Sequence, residues 1–520
     1  MKKQQRNPQS RREFLSDVGR GMVTATIGYS MARELSLAPA FAGEAEARLE
    51  FGALEALVRV MQDTPAAKLV PVLVEKLRSG TQLRDLVAAG ALANARSFGG
   101  EDYVGFHTMM ALAPGFHMAQ ELPAEQQPLP VFKVLYRNTN RIQESGANSH
   151  EVLHPVTAAE RPTGSNPGEW LRDAVRSKDA ARADAAFAAV AGTPEDALDA
   201  LLYEIHDDTE VHRVVLPYRA WDLLGIIGRD QATTLLRQSV RYCVRAEQWR
   251  RNDPSALLPK MLEEHKLLGA TPGTRAAEDK WVEELSMTIF QSSPEQAAAA
   301  AAAALAEGMA PDAIGEAISL AANQLILRDR GRTPEGEITG KPIGSVHGDS
   351  IGVHACDSAG AWRNLARVAR PRNTFACLIL GAYQAALDRT NRGGDFQHWE
   401  PLPLARHVES VKTTDPGGLL GELDDAVRGN LQARAAAVVQ RYGQLGHDSR
   451  EVFDLLRRYA ISEDGALHAE KFFRTTTEEF ATTRPAFRWR QLCALARVTA
   501  SEYGRPAPGV AEAKALLKVA

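Results

Sequence analysis

Apolar residues recur three and four positions apart through most of the chain, which is the spacing of an amphipathic helix. The segments LVPVLVEKLRSG, REVFDLLRRYA and QLCALARVTASEYG show this spacing, and glycine often follows the last turn, as it does at helix C-termini. Alternation with a period of two, which would indicate strands, is almost absent. The pattern predicts an all-α fold, an array of helical hairpins of the repeat or toroid-like kind.

One helix start can be read directly from the segment SSPEQAAAAAAAALAEG. Ser293 is placed as the N-cap, Pro294 as the first helical residue, and Gln296 as the partner that completes a capping box. The alanine run that follows favours a helix strongly, and the low aromatic content of 6% agrees with closely packed helices.

Three segments of the chain resemble one another, at residues 80–142, 194–245 and 311–388. Each has an Ala/Leu-rich helix, a connection of variable length, a second helix with a histidine near its start, and a third helix. Those histidines are His107, His212 and His354. If the segments are true repeats, each presents the same helix end to a shared interior.

The connections before two of these helices carry further histidines and aspartates. Neutral imidazole is the commonest transition-metal ligand, and a nearby carboxylate can bind the metal or orient a ring. The sequence therefore predicts a site for iron, haem or another transition metal. The candidate metal ligands are His107, His206, His212, His347 and His354, and the candidate catalytic residues are His107, His212, His354, Asp207 and Asp349.

A second interpretation makes the same residues structural. The histidines would then be core residues with satisfied partners, and Asp208 and Ser350 would be helix caps. Residues 348–352 also match G-x-S-x-G, but that nucleophile motif needs a preceding strand, and the twenty residues before it have a loop composition. We therefore expect Ser350 to be a cap.

Aromatic and cationic residues follow two of the histidines at comparable positions. They could line a substrate pocket, or they could be buried packing residues. The candidate substrate-binding residues are Tyr218, Arg219, Trp221, Trp362 and Arg363.

The N-terminus resembles a twin-arginine export signal. The pair is Arg11 and Arg12, followed by Phe14 and Leu15, and AFA at 40–42 fits small-x-small cleavage. This predicts a signal peptide at 1–42, a helical domain at 43–520, export by the twin-arginine translocase, and a periplasmic or secreted location. The alternative is an ordinary basic tail.

Charge and cysteine content restrict the partners. The chain carries a net charge of −4, and residues 1–42 contain seven Lys/Arg and three Asp/Glu, so the mature chain would carry −8. Clustered basic residues are missing, which argues against a nucleic-acid partner. The mature part has no apolar run of about 20 residues, so no membrane span is expected there. The four cysteines lack CxxC spacing and are expected to be buried free thiols.

The histidine-bearing segments GFHTMMALAPGFHMA, EVHRVVLPYRAWDLLGIIG and GVHACDSAGAWRNLARVA resemble the all-helical questin-oxidase-like proteins over roughly residues 80–390. The named member of that family is a monooxygenase that opens an aromatic polyketide ring. The resemblance implies an oxidoreductase with a small-molecule substrate, in which His107, His212 and His354 are the site residues. Two alternatives stay open: a periplasmic helical-repeat binding or scaffold protein, and a metal-free helical-toroid lyase or hydrolase.

Overall fold

A computed structural model of the protein describes residues 47–250, 253–337, 343–346, 350–392 and 396–519. These residues form 23 α-helices, and two isolated β-bridges are the only strand-like pairing among them. The all-α prediction is confirmed. The part from Leu49 onward is one compact unit. The predicted signal residues Arg11, Arg12, Phe14 and Leu15 lie outside the described residues.

The first ten helices occupy the N-terminal half. They are α1 Glu55–Asp63, α2 Ala66–Arg78, α3 Leu83–Phe98, α4 Tyr103–Gln120, α5 Pro128–Glu144, α6 Pro167–Arg176, α7 Ala180–Val190, α8 Pro194–Ile205, α9 Val211–Ile227 and α10 Ala232–Ala246.

The remaining thirteen follow. They are α11 Leu257–Glu264, α12 Asp279–Gln291, α13 Pro294–Ala306, α14 Pro311–Leu327, α15 Ile351–Val368, α16 Pro371–Arg392, α17 Ala405–Glu409, α18 Pro416–Arg428, α19 Gln432–Gln444, α20 Ser449–Ser462, α21 His468–Thr482, α22 Arg488–Glu502 and α23 Val510–Leu517.

Four helices form a closed ring at the centre. Helix α4 packs on α9, α9 on α15, α15 on α21, and α21 on α4. Other helices surround them, with α3 and α5 against α4, α10 against α9, α14 and α16 against α15, and α22 against α21. Each central helix carries a histidine in its first turn and a half, so the ring brings four histidines to one end of the bundle.

Side-chain caps explain where several of these helices begin. The capping box of Ser293 and Gln296 is present as predicted, and Ser350 caps α15 by accepting a hydrogen bond from Val353 N–H at 3.4 Å. The cap of α9 was predicted wrongly. Glu210, not Asp208, accepts hydrogen bonds from the first free N–H groups of that helix, at 3.0 and 3.1 Å.

Small residues allow the central helices to approach their neighbours. A Cβ on Gly352 would lie 2.7 Å from Ile326 Cγ1 and 2.9 Å from its backbone nitrogen, so α14 and α15 meet almost backbone to backbone. All four cysteines are free and buried, as expected. Among the helices of the described residues, none is long and apolar enough to cross a membrane.

Candidate functional site

Four imidazole rings meet at one end of the central bundle. They belong to His107, His212, His354 and His468, which we call the histidine quartet. The Nε2 atoms of His107 and His212 are 3.2 Å apart, and so are those of His354 and His468. Ring centroids are separated by 4.8, 5.9, 5.2 and 5.3 Å around the circuit 107–212–354–468–107. Each ring therefore touches two others through its edge or face.

The first pair has its outer nitrogens fixed by acceptors. His107 Nδ1 lies 2.7 Å from the carbonyl oxygen of Tyr103, and His212 Nδ1 lies 2.7 Å from Glu210 Oε1. A carbonyl or carboxylate accepts and cannot donate, so both Nδ1 atoms carry the proton. In a neutral ring this leaves Nε2 as an unprotonated lone pair, and in this pair the two lone pairs face each other.

In the second pair, His468 follows a turn with an unusual backbone conformation. His468 Nδ1 donates to the carbonyl of Ala466 at 3.1 Å, which again leaves Nε2 as the lone pair. Ala466 and Leu467 have φ angles of +50° and +67°, in the left-handed region that residues with a Cβ avoid. Helix α21 has no side-chain N-cap. Its histidine is therefore set by a tight turn and not by a cap.

Burial keeps two of the rings, those of His107 and His468, neutral. Desolvation, followed by the charge of Lys471, holds the pKa values of His107 and His468 well below their usual range. For Glu210, desolvation acts to raise the pKa, but the charge of His212 and hydrogen bonds from His212 and Tyr242 bring it down to about 2. Glu210 is therefore a carboxylate, and its acceptor role toward His212 is secure.

Polar groups continue into the bundle behind the quartet. Lys471 follows His468 by one turn, and its pKa is lowered to about 8, chiefly by burial. Thr475 Oγ1 donates to Asp357 Oδ1 at 2.8 Å and accepts from Arg219 Nη2 at 3.0 Å. This buried network gives the site an ionisable amine close to neutral pH and a fixed inner wall.

The opposite side of the quartet faces solvent. Tyr103 is 56% exposed, and its ring centroid lies 4.5 Å from that of His107 and 5.8 Å from that of His212. Phe106 stacks beneath, 4.9 Å from the ring of His107. A small molecule approaching from solvent would therefore meet Tyr103 first and the histidines directly behind it.

Three predicted histidines, His107, His212 and His354, are brought together here, whereas His206 is not. The ring of His206 is fully buried and stacks on Trp362 at 6.1 Å, with Cys377 Sγ 4.0 Å from its Nε2. The expectation that His206 shares the site with the other three must be corrected: it lies at the end of α8, where the chain turns before α9 starts. His347 lies outside the described residues.

Asp207 also has a different place from the one expected. Both of its carboxylate oxygens bind the guanidinium of Arg176, at 2.5 and 2.8 Å, and Arg250 lies 3.6 Å away. The predicted role of Asp207 in orienting a histidine must be corrected, because its lone pairs are used in this ion pair. Glu210 takes that role. Asp349 lies outside the described residues.

The candidate substrate-binding residues are held by protein partners and do not line the quartet. Tyr218 donates to Glu478 at 2.7 Å, Trp362 to Gln384 at 2.7 Å, and Arg363 to Glu479 at 2.6 Å. Arg219 belongs to the inner network, and the ring of Trp221 lies beneath Arg229. The packing interpretation describes these five residues, because they follow their histidines by about two turns along the helix and have protein partners of their own.

The fourth histidine of the quartet, His468, was not predicted from the sequence. His468 lies between REVFDLLRRYA and QLCALARVTASEYG, two segments recognised as helices, so it repeats the pattern of helix, histidine-bearing helix and helix. That arrangement was the available signal. It was hidden because the residues around His468 are charged and aromatic instead of Ala-rich.

No family model matches this chain, and no curated protein or solved structure does either. The resemblance to questin-oxidase-like proteins therefore stays a prediction. Within the described residues, no three or more His, Cys, Asp or Glu side chains already stand in a metal-ligand arrangement. The quartet is two close pairs of nitrogens, so binding one ion with all four rings would require the two pairs to move together.

Proposed function

We propose that this protein is a metal-dependent oxidoreductase that acts on a small molecule, with a non-haem transition-metal ion held by the histidine quartet. The observation that carries the proposal is the meeting of four rings, three of which have Nδ1–H fixed by an acceptor and Nε2 turned inward. Metal-binding histidines typically have this arrangement, in which an outer acceptor fixes the tautomer and the orientation of the ring.

The Nε2–Nε2 distance within each pair fits two nitrogens bound to the same metal ion. Two imidazole nitrogens about 2.1 Å from one metal, at angles between octahedral and tetrahedral, lie about 3.0–3.4 Å apart. The observed separation is 3.2 Å in both pairs. Haem is disfavoured, because axial nitrogens on opposite sides of the iron would be about 4 Å apart with a macrocycle between them. Rings in edge contact leave no space for one.

The electrostatics support a metal over a shared proton. Facing lone pairs at 3.2 Å repel unless a cation lies between them. Burial, followed by the charge of Lys471, opposes protonation of His107 and His468, whereas a metal ion would compensate for the same costs by bonding the lone pairs of several imidazoles at once. An all-imidazole set suits iron, copper, manganese or zinc. Such an ion would supply redox or Lewis-acid chemistry, while Lys471 could hold or release a proton one turn away.

The redox assignment and the location rest on the sequence. The resemblance of three histidine-bearing segments to a monooxygenase family favours oxidoreductase chemistry. The twin-arginine pattern at Arg11 and Arg12 agrees, since that route carries folded proteins, many with a cofactor already in place. We therefore propose export by the twin-arginine translocase. Replacing both arginines by lysine should retain the protein in the cytoplasm, as measured by fractionation, whereas unchanged export would exclude this route.

Elemental analysis with absorption and EPR spectra tests the proposal. The purified wild-type protein is expected to hold close to one transition-metal ion per chain. His212→Ala and His468→Ala should each lose most of it. His117→Ala is the matched control, because His117 pairs with Asp222 at 2.9 Å and lies outside the quartet. A folded wild-type protein that binds no metal would overturn the proposal and favour a binding protein or metal-free catalysis.

A further inference from the structure

We propose that Lys133 is the positioning residue of His468: its buried ammonium ties together the two sides of the turn from which the fourth ligand projects. Lys133 lies on α5, far from the quartet in sequence and away from the ligands themselves. The inference rests on the proposed function, since it concerns how one ligand of that site is held.

The contacts of Lys133 span the turn. Its Nζ donates to the carbonyl oxygens of Ala460 and Glu463 at 2.7 Å each, at the end of α20. On the other side, the same Nζ lies 2.6 Å from Glu470 Oε1, in the first turn of α21. The exposed fractions are 2% for the lysine side chain and 0% for the glutamate side chain. One ammonium thus holds the last carbonyls of one helix and a carboxylate of the next.

The turn needs such support because its backbone is unfavourable. Ala466 and Leu467 are both left-handed, and such conformations persist only where the surroundings hold them. Gly465 is enclosed as well, since a Cβ there would lie 2.8 Å from the Cβ of Ala469. No capping side chain assists the start of α21. His468 is the first residue after this turn, so its ring follows any movement of the turn.

Two further sets of contacts connect the turn to parts of the chain beyond α20 and α21. Arg137, one turn after Lys133 on α5, pairs with Asp464. Glu463 Oε2 accepts hydrogen bonds from the backbone N–H groups of Gly504 and Arg505, at 2.9 and 2.7 Å. Two cations of α5, Lys133 and Arg137, contact this turn. Lys133 is fully buried and reaches both helices, which makes it the residue to test.

The experiment uses the full chain with two variants. Lys133→Met removes the charge and leaves Glu470 buried without its partner, which can prevent folding. The double variant Lys133→Met/Glu470→Met removes both charges at similar volume and is expected to fold, as shown by circular dichroism. Arg237→Met is the control, since Arg237 is another buried cation bound to a backbone carbonyl, that of His154 at 2.7 Å.

The first measurement needs no metal. Carbethoxylation of His468 by diethyl pyrocarbonate, followed by peptide mass spectrometry, should be about tenfold faster in the double variant than in the wild type, because the turn opens locally. His117 in the same sample and His468 in Arg237→Met should react at the wild-type rate. An unchanged rate at His468 in a folded double variant would overturn the inference, whether or not the protein binds metal.

The second measurement uses Co²⁺ alone. The double variant should bind Co²⁺ about 10–100-fold more weakly than the wild type, with a changed visible spectrum. In a His468→Ala background the same substitutions should cause no further loss, since the ligand they position is gone. An equal loss in both backgrounds would mean a general structural role and would overturn the inference. A wild-type protein without Co²⁺ binding would instead refute the proposed function, and the carbethoxylation result would decide the inference.

Discussion

The two pairs of the quartet reach the same Nε2 separation of 3.2 Å by different means. His107 and His212 lie on helices with acidic N-caps, Asp102 and Glu210, and their Nδ1 atoms donate to acceptors two or four residues away in the chain. The helix of His354 is capped by Ser350 through a longer hydrogen bond of 3.4 Å. His468 follows a left-handed turn that is held by a residue hundreds of positions away.

Within one site, some rings are therefore oriented by residues close in sequence and one is held by residues that are close only in the folded structure. Each ring of the first pair is oriented by its own sequence neighbours, so its orientation should survive changes elsewhere. The second pair depends, through His468, on packing between α5, α20 and α21, so distant substitutions should reach it. The proposed single-ion site would need both kinds of control, because four ligands would have to meet within a few tenths of an ångström.

The largest expected effect concerns the support of the second pair. Glu470→Ala leaves the ammonium of Lys133 buried without its counter-charge and should lower the free energy of unfolding by about 3–5 kcal/mol. Asp102→Ala removes the partly exposed N-cap of the helix that carries His107, together with its ion pair to Arg141, and should lower the free energy of unfolding by about 1–2 kcal/mol. Urea unfolding of both variants measures this. Equal losses would contradict the contrast between local and tertiary control of the two pairs.

The next effect concerns the outer acceptor of the first pair. Glu210→Gln keeps an acceptor oxygen for His212 and for the helix start but removes the charge. Metal affinity should fall about 10–100-fold while the unfolding free energy changes by about 1 kcal/mol or less. Asp415→Asn, at the cap of α18, is the control and should leave affinity unchanged. A variant that loses stability but keeps its affinity would show that Glu210 is only a cap.

The buried carboxyl group of Asp388, which interacts with Glu210, should make the free energy of unfolding depend on pH. Burial, followed by the charge of Glu210, raises the pKa of Asp388 well above its usual value. The folded state retains this proton to a higher pH than the unfolded state does. The protonated group therefore stabilises the fold at low pH, and this contribution is lost as the pH rises through the folded pKa. Asp388→Asn should therefore remove up to about 1.4 kcal/mol per pH unit from the slope of stability above pH 4. Parallel urea titrations over pH 4–8 with identical slopes would contradict this.

The smallest effect should have the opposite sign. Ala466→Gly relieves a left-handed backbone at an exposed position and should stabilise the protein by about 1 kcal/mol. Ala147→Gly is the control, since Ala147 has a similar φ of +54° far from the quartet in sequence. Thermal unfolding should shift upward for both. If only Ala466→Gly weakened Co²⁺ binding, the strain itself would be part of how His468 is presented.

Much of the fold follows from local sequence. The period of apolar residues gave the helices, Ser293 and Gln296 gave a capping box, and Ser350 gave a cap, because these signals act within one or two turns. The polar stretch 389–420 contains several glycines and prolines and has a loop composition, yet part of it is helical, since α16 runs to Arg392, α17 lies inside the stretch and α18 begins at Pro416. Short polar helices have weak periodicity and are held by tertiary contacts.

For the site, the sequence alone showed that histidines recur near helix starts, and it singled out His107, His212 and His354. It could not decide that these starts meet, that His206 and Asp207 turn away to Trp362 and Arg176, or that His468 completes the set. Those outcomes depend on the closed ring of four central helices and on Lys133 bound across a turn over 300 residues away. Helix periodicity and caps are short-range and can be read along the chain, whereas convergence arises from long-range packing that no local pattern encodes.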